Sequence, residues 1–351
     1  MRGPVPVRAA VRRLAHYHPP QEGRAGLLRL DFNENTVGCS PKVRAAVSRM
    51  TREQVAIYPE YETARRRLAR FFGVAPDELI LTNGADEALR LVSDVFLERG
   101  GRALLVEPTF PMYAFYAVLA GARVVRLHYG ADMRFPLAAA CAELARGPRV
   151  FFLANPNNPT GTLVTPGDVQ AVLEASRRTL VVVDEAYADF AESNCLELVR
   201  RCKRVLVSRT LSKSYALAGL RFGFLIAHPD IIRQLRKVKD SYNCDALSIA
   251  AATAAVEDQA WLRENRAKIL ATRKQLAEGL AGLGFNVLDS QANFVWCTHR
   301  ERKARDLFWE LKRRKILVRY MAYPQWGDGL RITVGTDAEI DALLRELKPL
   351  V

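Results

Sequence analysis

No run of about 18 apolar residues occurs in the chain, so no membrane-spanning helix is expected. The six cysteines (39, 141, 195, 202, 244 and 297) show no CxxC spacing and have no histidine partners at metal-ligand spacing. That argues against a zinc site, and the thiols read as buried or free in a reducing compartment, the cytoplasm. Internal repeats and low-complexity segments are missing too. Lys and Arg outnumber Asp and Glu by 52 to 38, a net charge of +14, yet no basic block interleaves with aromatics. The positive residues are mostly arginines scattered among acids along helices, so no nucleic-acid partner is expected. Met1 to Gln21 has no acidic residue, which a transit peptide shares. Two early prolines and His16-Tyr17-His18-Pro19-Pro20 break any long amphipathic helix there. The segment reads instead as an arm packed on the body or on a partner subunit.

What is present fills 351 residues, of which 49% are apolar, enough for two domains sharing one interface. Apolar runs at 79–81, 103–106, 123–127, 150–153, 180–183, 205–207 and 222–226 alternate with helix-periodic stretches. That alternation predicts a layered α/β domain with a mostly parallel sheet. Helix starts are marked by Ser40-Pro41 and Thr165-Pro166, with Gly73 closing a helix over about 61–72. After His228 the character changes. Helices are expected over about 229–242, 261–283 and 302–314, with strands at 285–288, 293–296, 316–319 and 330–334. Thr336-Asp337-Ala338-Glu339 is a capping box for a last helix. The expected division is an arm with a small-domain contribution over 1–40, a large domain over 41–240 and a smaller α+β domain over 241–351.

Several loops between these runs carry chemistry. Ser208 to Gly223 is a loop of small and hydroxyl residues with one lysine, Lys213, and Arg221 eight residues on. A buried lysine beside a cation loses its proton readily and can bond a carbonyl. The arginine and hydroxyls suit a phosphate on the same compound, and a phosphorylated aldehyde on lysine is pyridoxal 5'-phosphate (PLP). Taken alone, the stretch fits a solvated surface lysine equally well. The strand 79–81 enters Thr82-Asn83-Gly84-Ala85-Asp86-Glu87, where free backbone N–H groups at a helix start suit a phosphate. A plain capped helix start fits there as well. Ala154 to Gly161 is a proline-stiffened, amide-rich loop that reads as ligand-facing. Asp184 ends an apolar run, where open α/β sheets bind ligands, and a buried carboxylate there needs a cationic partner. An N-cap aspartate is the alternative.

Asn155-Pro156-Asn157-Asn158-Pro159-Thr160-Gly161, Asp184-Glu185-Ala186-Tyr187 and Ser212-Lys213 leading to Gly219-Leu220-Arg221-Phe222-Gly223 occur in fixed order. Together they resemble the fold-type I PLP-dependent aminotransferases. Asp31-Phe32-Asn33-Glu34-Asn35, Tyr58-Pro59-Glu60, Asn83 to Glu87 and Leu330 to Gly335 are similar to the histidinol-phosphate aminotransferase pattern. The resemblance covers about Asp31 to Thr336. It implies an α/β fold whose large domain has a mostly parallel seven-stranded sheet, plus the smaller α+β domain.

By that resemblance Lys213 bonds the cofactor and shuttles the proton. Asp184 pairs with the ring nitrogen, Tyr187 and Asn158 bond the ring hydroxyl oxygen, and Phe110 stacks on the ring where the family often has tyrosine. Ala85 and Asp86 backbone N–H groups, with Thr210, Ser212 and Arg221, hold the phosphate, so the Asp86 carboxylate is expected to face elsewhere. Tyr58 reaches into the other subunit's site, which implies a homodimer. Arg331 binds a substrate carboxylate or, with Arg319, the histidinol phosphate group, and Tyr17 covers the substrate. A strand-edge surface cation is the other reading of Arg319. The implied reaction exchanges L-histidinol phosphate and imidazole acetol phosphate with 2-oxoglutarate and glutamate. A broad aromatic aminotransferase and a threonine-phosphate decarboxylase share the same frame. A PLP-binding regulator is disfavoured, since about 30 residues before Asp31 cannot hold a helix-turn-helix module.

Overall fold

The computed structural model of the chain describes residues 5–12, 14 and 22–351. Among the described residues twelve strands form two sheets. In chain order they are β1 (Leu28–Leu30), β2 (Leu79–Thr82), β3 (Arg102–Glu107), β4 (Arg123–His128), β5 (Val150–Ala154) and β6 (Leu180–Asp184). There follow β7 (Val205–Thr210), β8 (Gly223–Ala227), β9 (Phe285–Val287), β10 (Phe294–His299), β11 (Ile316–Tyr323) and β12 (Gly327–Thr333).

The large sheet runs β2-β8-β7-β6-β5-β3-β4. Its pairs are parallel from β4 through β7, and β8 alone runs against its neighbours β7 and β2. Every residue of β2, β5, β6, β7 and β8 is buried, as expected for strands covered on both faces by helices. The register lines up the functional loops on one edge. Ala154 lies opposite Asp184, Asp184 opposite Ser208, and Thr210 and Thr82 both opposite Gly223.

The smaller sheet runs β1-β11-β12-β10-β9. Its outermost strand comes from the N-terminal part of the chain, with Leu28 to Leu30 parallel to Ile316 to Val318. The expected domain boundary near 240 falls too early. The helix Ala246–Glu257 packs on the helices Pro41–Ser48 and Tyr61–Phe72. Its Ile249, Ala251, Ala252, Ala255 and Val256 join the large domain's core. The crossing is made by the 24-residue helix Gln259–Gly282, whose Leu262 belongs to that core while Ile269, Leu276 and Leu280 belong to the small one. A change in sequence character after His228 marks the end of the strand-helix alternation, not the end of the large core. The helix expected over 229–242 stops earlier, at Arg236. Among the described residues no helix is long and apolar enough to cross a membrane.

Candidate active site

The loops at the aligned strand ends enclose one cavity lined by Ala85, Asp86, Phe110, Asn158, Asp184, Tyr187, Thr210, Ser212, Lys213 and Arg221. The ten residues stem from six separate segments. An adjoining cavity shares Asp86, Phe110, Asn158, Tyr187 and Lys213 and adds Phe32, Asn33, Tyr116 and Arg331.

Lys213 stands between the two. Its Nζ donates to the Phe32 carbonyl at 3.0 Å and lies 5.9 Å from the Tyr187 ring centre. Burial first, and then the nearby Arg331 charge, pull its ammonium down to about 8 from 10.5. Its loop is tied on both sides. The Ser214 hydroxyl donates to Asp189, and the Ser214 carbonyl accepts from Asn35 Nδ2 at 3.3 Å. Asp189 is in turn held by Arg209 at 3.1 Å, and Arg209 is paired to buried Glu185 at 2.7 Å.

Asp184 follows four buried apolar residues at the end of β6. Its Oδ2 accepts from the Tyr113 hydroxyl at 2.8 Å and its Oδ1 from the Ala186 N–H at 3.2 Å. Among the described residues no cationic side chain forms an ion pair with it. Burial pushes its carboxyl up to about 6. Tyr187 carries its hydroxyl to Asn33, whose Nδ2 donates at 2.9 Å.

The turn expected to hold a phosphate is built by close backbone approach. Gly84 has φ +73°, and a Cβ there would lie 2.5 Å from Arg221 Nη2. A Cβ on Gly223 would meet the Gly84 carbonyl carbon at 2.8 Å and the Arg209 oxygen at 2.9 Å. Replacing Gly223 by alanine therefore forces β8 away from the Gly84 turn. The expected result is a stability loss of about 1–3 kcal/mol, read by urea unfolding, together with weaker PLP binding. Unchanged stability and affinity would show that the strands separate freely here. Arg221 itself sits at φ +48°, a left-handed conformation rare outside glycine, and reaches Ser212 Oγ at 3.3 Å. The Asp86 carboxylate, in the first turn of the helix Gly84–Phe96, pairs with Arg221 Nη2 at 3.3 Å.

The remaining expected residues divide. Arg331 is buried beside the Lys213 cavity and donates to Asn158 Oδ1 and to the Asp31 carbonyl, each at 2.6 Å. Arg319 lies opposite Arg331 in the strand register but lines a different cavity, with Arg24, Asp31 and Tyr320. The two arginines therefore line separate cavities. Asp31 contacts Arg331 through its carbonyl and borders the Arg319 cavity, with its carboxylate held by Arg24 at 2.6 Å. Tyr58 is 71% exposed, stacked on Tyr242 at 3.9 Å, and borders neither cavity. Tyr17 lies outside the described residues. Sequence reasoning missed Tyr113 and Asn33 as site residues. Tyr113 carries no local signal for such a place, and Asn33 enters only within the pattern Asp31 to Asn35.

A buried carboxylate lacking a cation, a lysine with a lowered proton affinity and a glycine-lined cradle facing an arginine and two hydroxyls fit PLP. Fold and site together define a PLP-dependent aminotransferase of fold type I. The aminotransferase class I and II family matches residues 25–347. A histidinol-phosphate aminotransferase of Rhodopirellula baltica is 42% identical over 341 residues, 96% of this chain and 93% of that protein. One from Bradyrhizobium diazoefficiens is 39% identical over 97% of this chain and 98% of its own. The crystal structure of the Sinorhizobium meliloti histidinol-phosphate aminotransferase in complex with pyridoxal 5'-phosphate matches with a TM-score of 0.86 at 28% identity. It covers 92% of this chain and 90% of that one. The chain belongs to the class I and II aminotransferases and, within them, to the histidinol-phosphate aminotransferase family.

Proposed function

We infer that the enzyme moves an amino group between L-histidinol phosphate and 2-oxoglutarate, forming imidazole acetol phosphate and glutamate, in the cytoplasm and for histidine biosynthesis. The observation carrying this reading is the 42% identity to a histidinol-phosphate aminotransferase over 96% of the chain. Bound PLP would supply an electron sink for the charge left when the substrate loses its α-proton. Lys213 would hold the cofactor through its amine, and the same amine, lowered to about 8 by burial and Arg331, is the group placed to accept and return the substrate's proton. Asp184 would hold the ring nitrogen protonated, and Tyr187 with Asn158 would hold the ring hydroxyl oxygen. Phe110 covers one ring face. Ala85 and Asp86 N–H groups with Thr210, Ser212 and Arg221 grip the phosphate. Arg331 would orient the substrate's anionic group beside Lys213, and Arg319 and Tyr17 are the further candidates for holding the substrate.

The enzyme works as a homodimer with Tyr58 reaching the partner's site. Supporting this, exposed Tyr58 stacks on exposed Tyr242, and Val55 and Ile57 beside it in the chain extend an apolar patch, each between 63% and 71% exposed. Such a patch on a soluble enzyme marks an interface. Sedimentation should give about twice the mass of one chain, and a monomer with full activity would overturn it.

The substrate test is a single half-reaction. L-Histidinol phosphate added to the PLP-loaded enzyme should bleach the absorbance of the lysine-bound cofactor rapidly. Phenylalanine and threonine phosphate should not. Bleaching by phenylalanine alone would keep the cofactor and discard the substrate, and carbon dioxide release from threonine phosphate would make the enzyme a decarboxylase.

A further inference from the structure

The helix Met112–Leu119 carries Tyr113 in its first turn, and Tyr113 is 1% exposed. Its ring lies parallel to Phe152 at 5.4 Å and meets the edge of Phe110 at 5.6 Å. Its hydroxyl donates to Asp184 Oδ2 at 2.8 Å, while the Ala186 N–H supplies Oδ1. One side chain thus touches both the carboxylate and the aromatic that flank the cofactor ring. We propose that Tyr113 is a positioning residue for the transamination, its hydroxyl fixing the plane of the Asp184 carboxylate and keeping that carboxylate a weak enough base to leave the proton on the cofactor's ring nitrogen. The proposal rests on the reading of Asp184 given above.

The surroundings of Asp184 show why one hydrogen bond matters. Tyr113 faces it from its helix, Glu185 and Tyr187 from its own loop, and Asp86 from the helix Gly84–Phe96. Lys213 and Arg221 border the same cavity from the loop after β7 without pairing with it. Burial and the two acids, Asp86 and Glu185, raise the carboxyl's affinity for a proton, and the Tyr113 hydroxyl is the largest influence opposing them. A charged acceptor strengthens such a bond, and a buried one has no water to replace the donor. Burial first, and then the same carboxylate, hold the Tyr113 proton well above its ordinary range, so the phenol stays a donor at neutral pH. Without it, Asp184 becomes the stronger base, and the shared proton moves from the ring nitrogen toward the carboxylate. The ring then withdraws less charge from the reacting carbon.

The test uses the enzyme loaded with PLP carrying nitrogen-15 in its ring, in wild-type, Y113F, F152L and D184N forms. Y113F keeps the ring and removes only the donor. Its nitrogen signal should move toward the neutral-ring value and the half-reaction rate should fall about tenfold, the loss of one hydrogen bond to a charged group. F152L disturbs the ring packing without touching the hydroxyl, so its nitrogen signal should stay at the wild-type position. A Y113F signal and rate equal to wild type, while the D184N signal moves, overturns the role of Tyr113 alone. A D184N signal that does not move overturns the reading of Asp184 itself. If Y113F fails to hold the cofactor, fluorotyrosine at position 113 replaces it. This stronger donor should move the signal further toward the protonated ring, and no movement, or movement the other way, overturns the proposal.

Discussion

Lys213→Ala should lower the rate of the half-reaction by about 10⁴-fold, the upper end of what a positioned proton-transfer group contributes, and remove the absorbance of the lysine-bound cofactor. Both losses come from one side chain, Lys213, which lines both cavities. Protein that keeps turnover and absorbance without Lys213 would refute the site. The wild type adds a pH signature. Only a neutral amine can bond the PLP aldehyde, and burial together with Arg331 brings the Lys213 ammonium down to about 8. Because the shift is downward, the neutral form becomes the major one above about pH 8 instead of above 10.5. Capture of PLP by the ligand-free enzyme should quicken as pH rises and level off past about 8. A rate still climbing toward pH 10 would mean that neither burial nor Arg331 acts on Lys213.

Asp184→Asn should cost about 10²–10³-fold in kcat, the scale of one preorganised electrostatic group in a water-excluded site. Asparagine has the same shape and can still accept from Tyr113, but it carries no charge to hold a ring-nitrogen proton. A variant with wild-type kcat would detach Asp184 from the chemistry. In the ligand-free protein the same substitution has a second consequence. Burial raises the Asp184 carboxyl from 3.8 to about 6. Its folded-state proton affinity is thus above the unfolded one. The stability it contributes is fully present below about 3.8 and is lost as pH rises through about 6. D184N has no such titration. Its melting temperature should vary less between pH 4 and 7 than that of the ligand-free wild type. Equal slopes would mean that Asp184 does not titrate in this range.

Much of this site could be read before any coordinates, because the signals are local. Four apolar residues ending in Asp184, a lone Lys213 among hydroxyls, Gly84 at a strand-to-helix turn and the Thr336 capping box each depend on neighbours within a few positions. Strand and helix alternation and the place of the reactive groups at strand ends follow from hydrophobic period and caps alone. What the sequence could not determine lies between residues far apart. Tyr113 and Asp184 are 71 positions apart, Phe32 and Lys213 are 181 apart, and both contacts exist only because the sheets bring those strand ends to one edge. Gly223 looks like any strand glycine until the register sets it against the Gly84 turn. Arg319 and Arg331 read as partners on adjacent strands, yet the two residues line separate cavities. The Ala-rich helix 246–257 carries small residues with almost no facing preference, so only packing assigns it to the large core. Period, caps and motifs are properties of a stretch of chain. Register and side-chain convergence are properties of the assembled layers, and tertiary structure alone decides them.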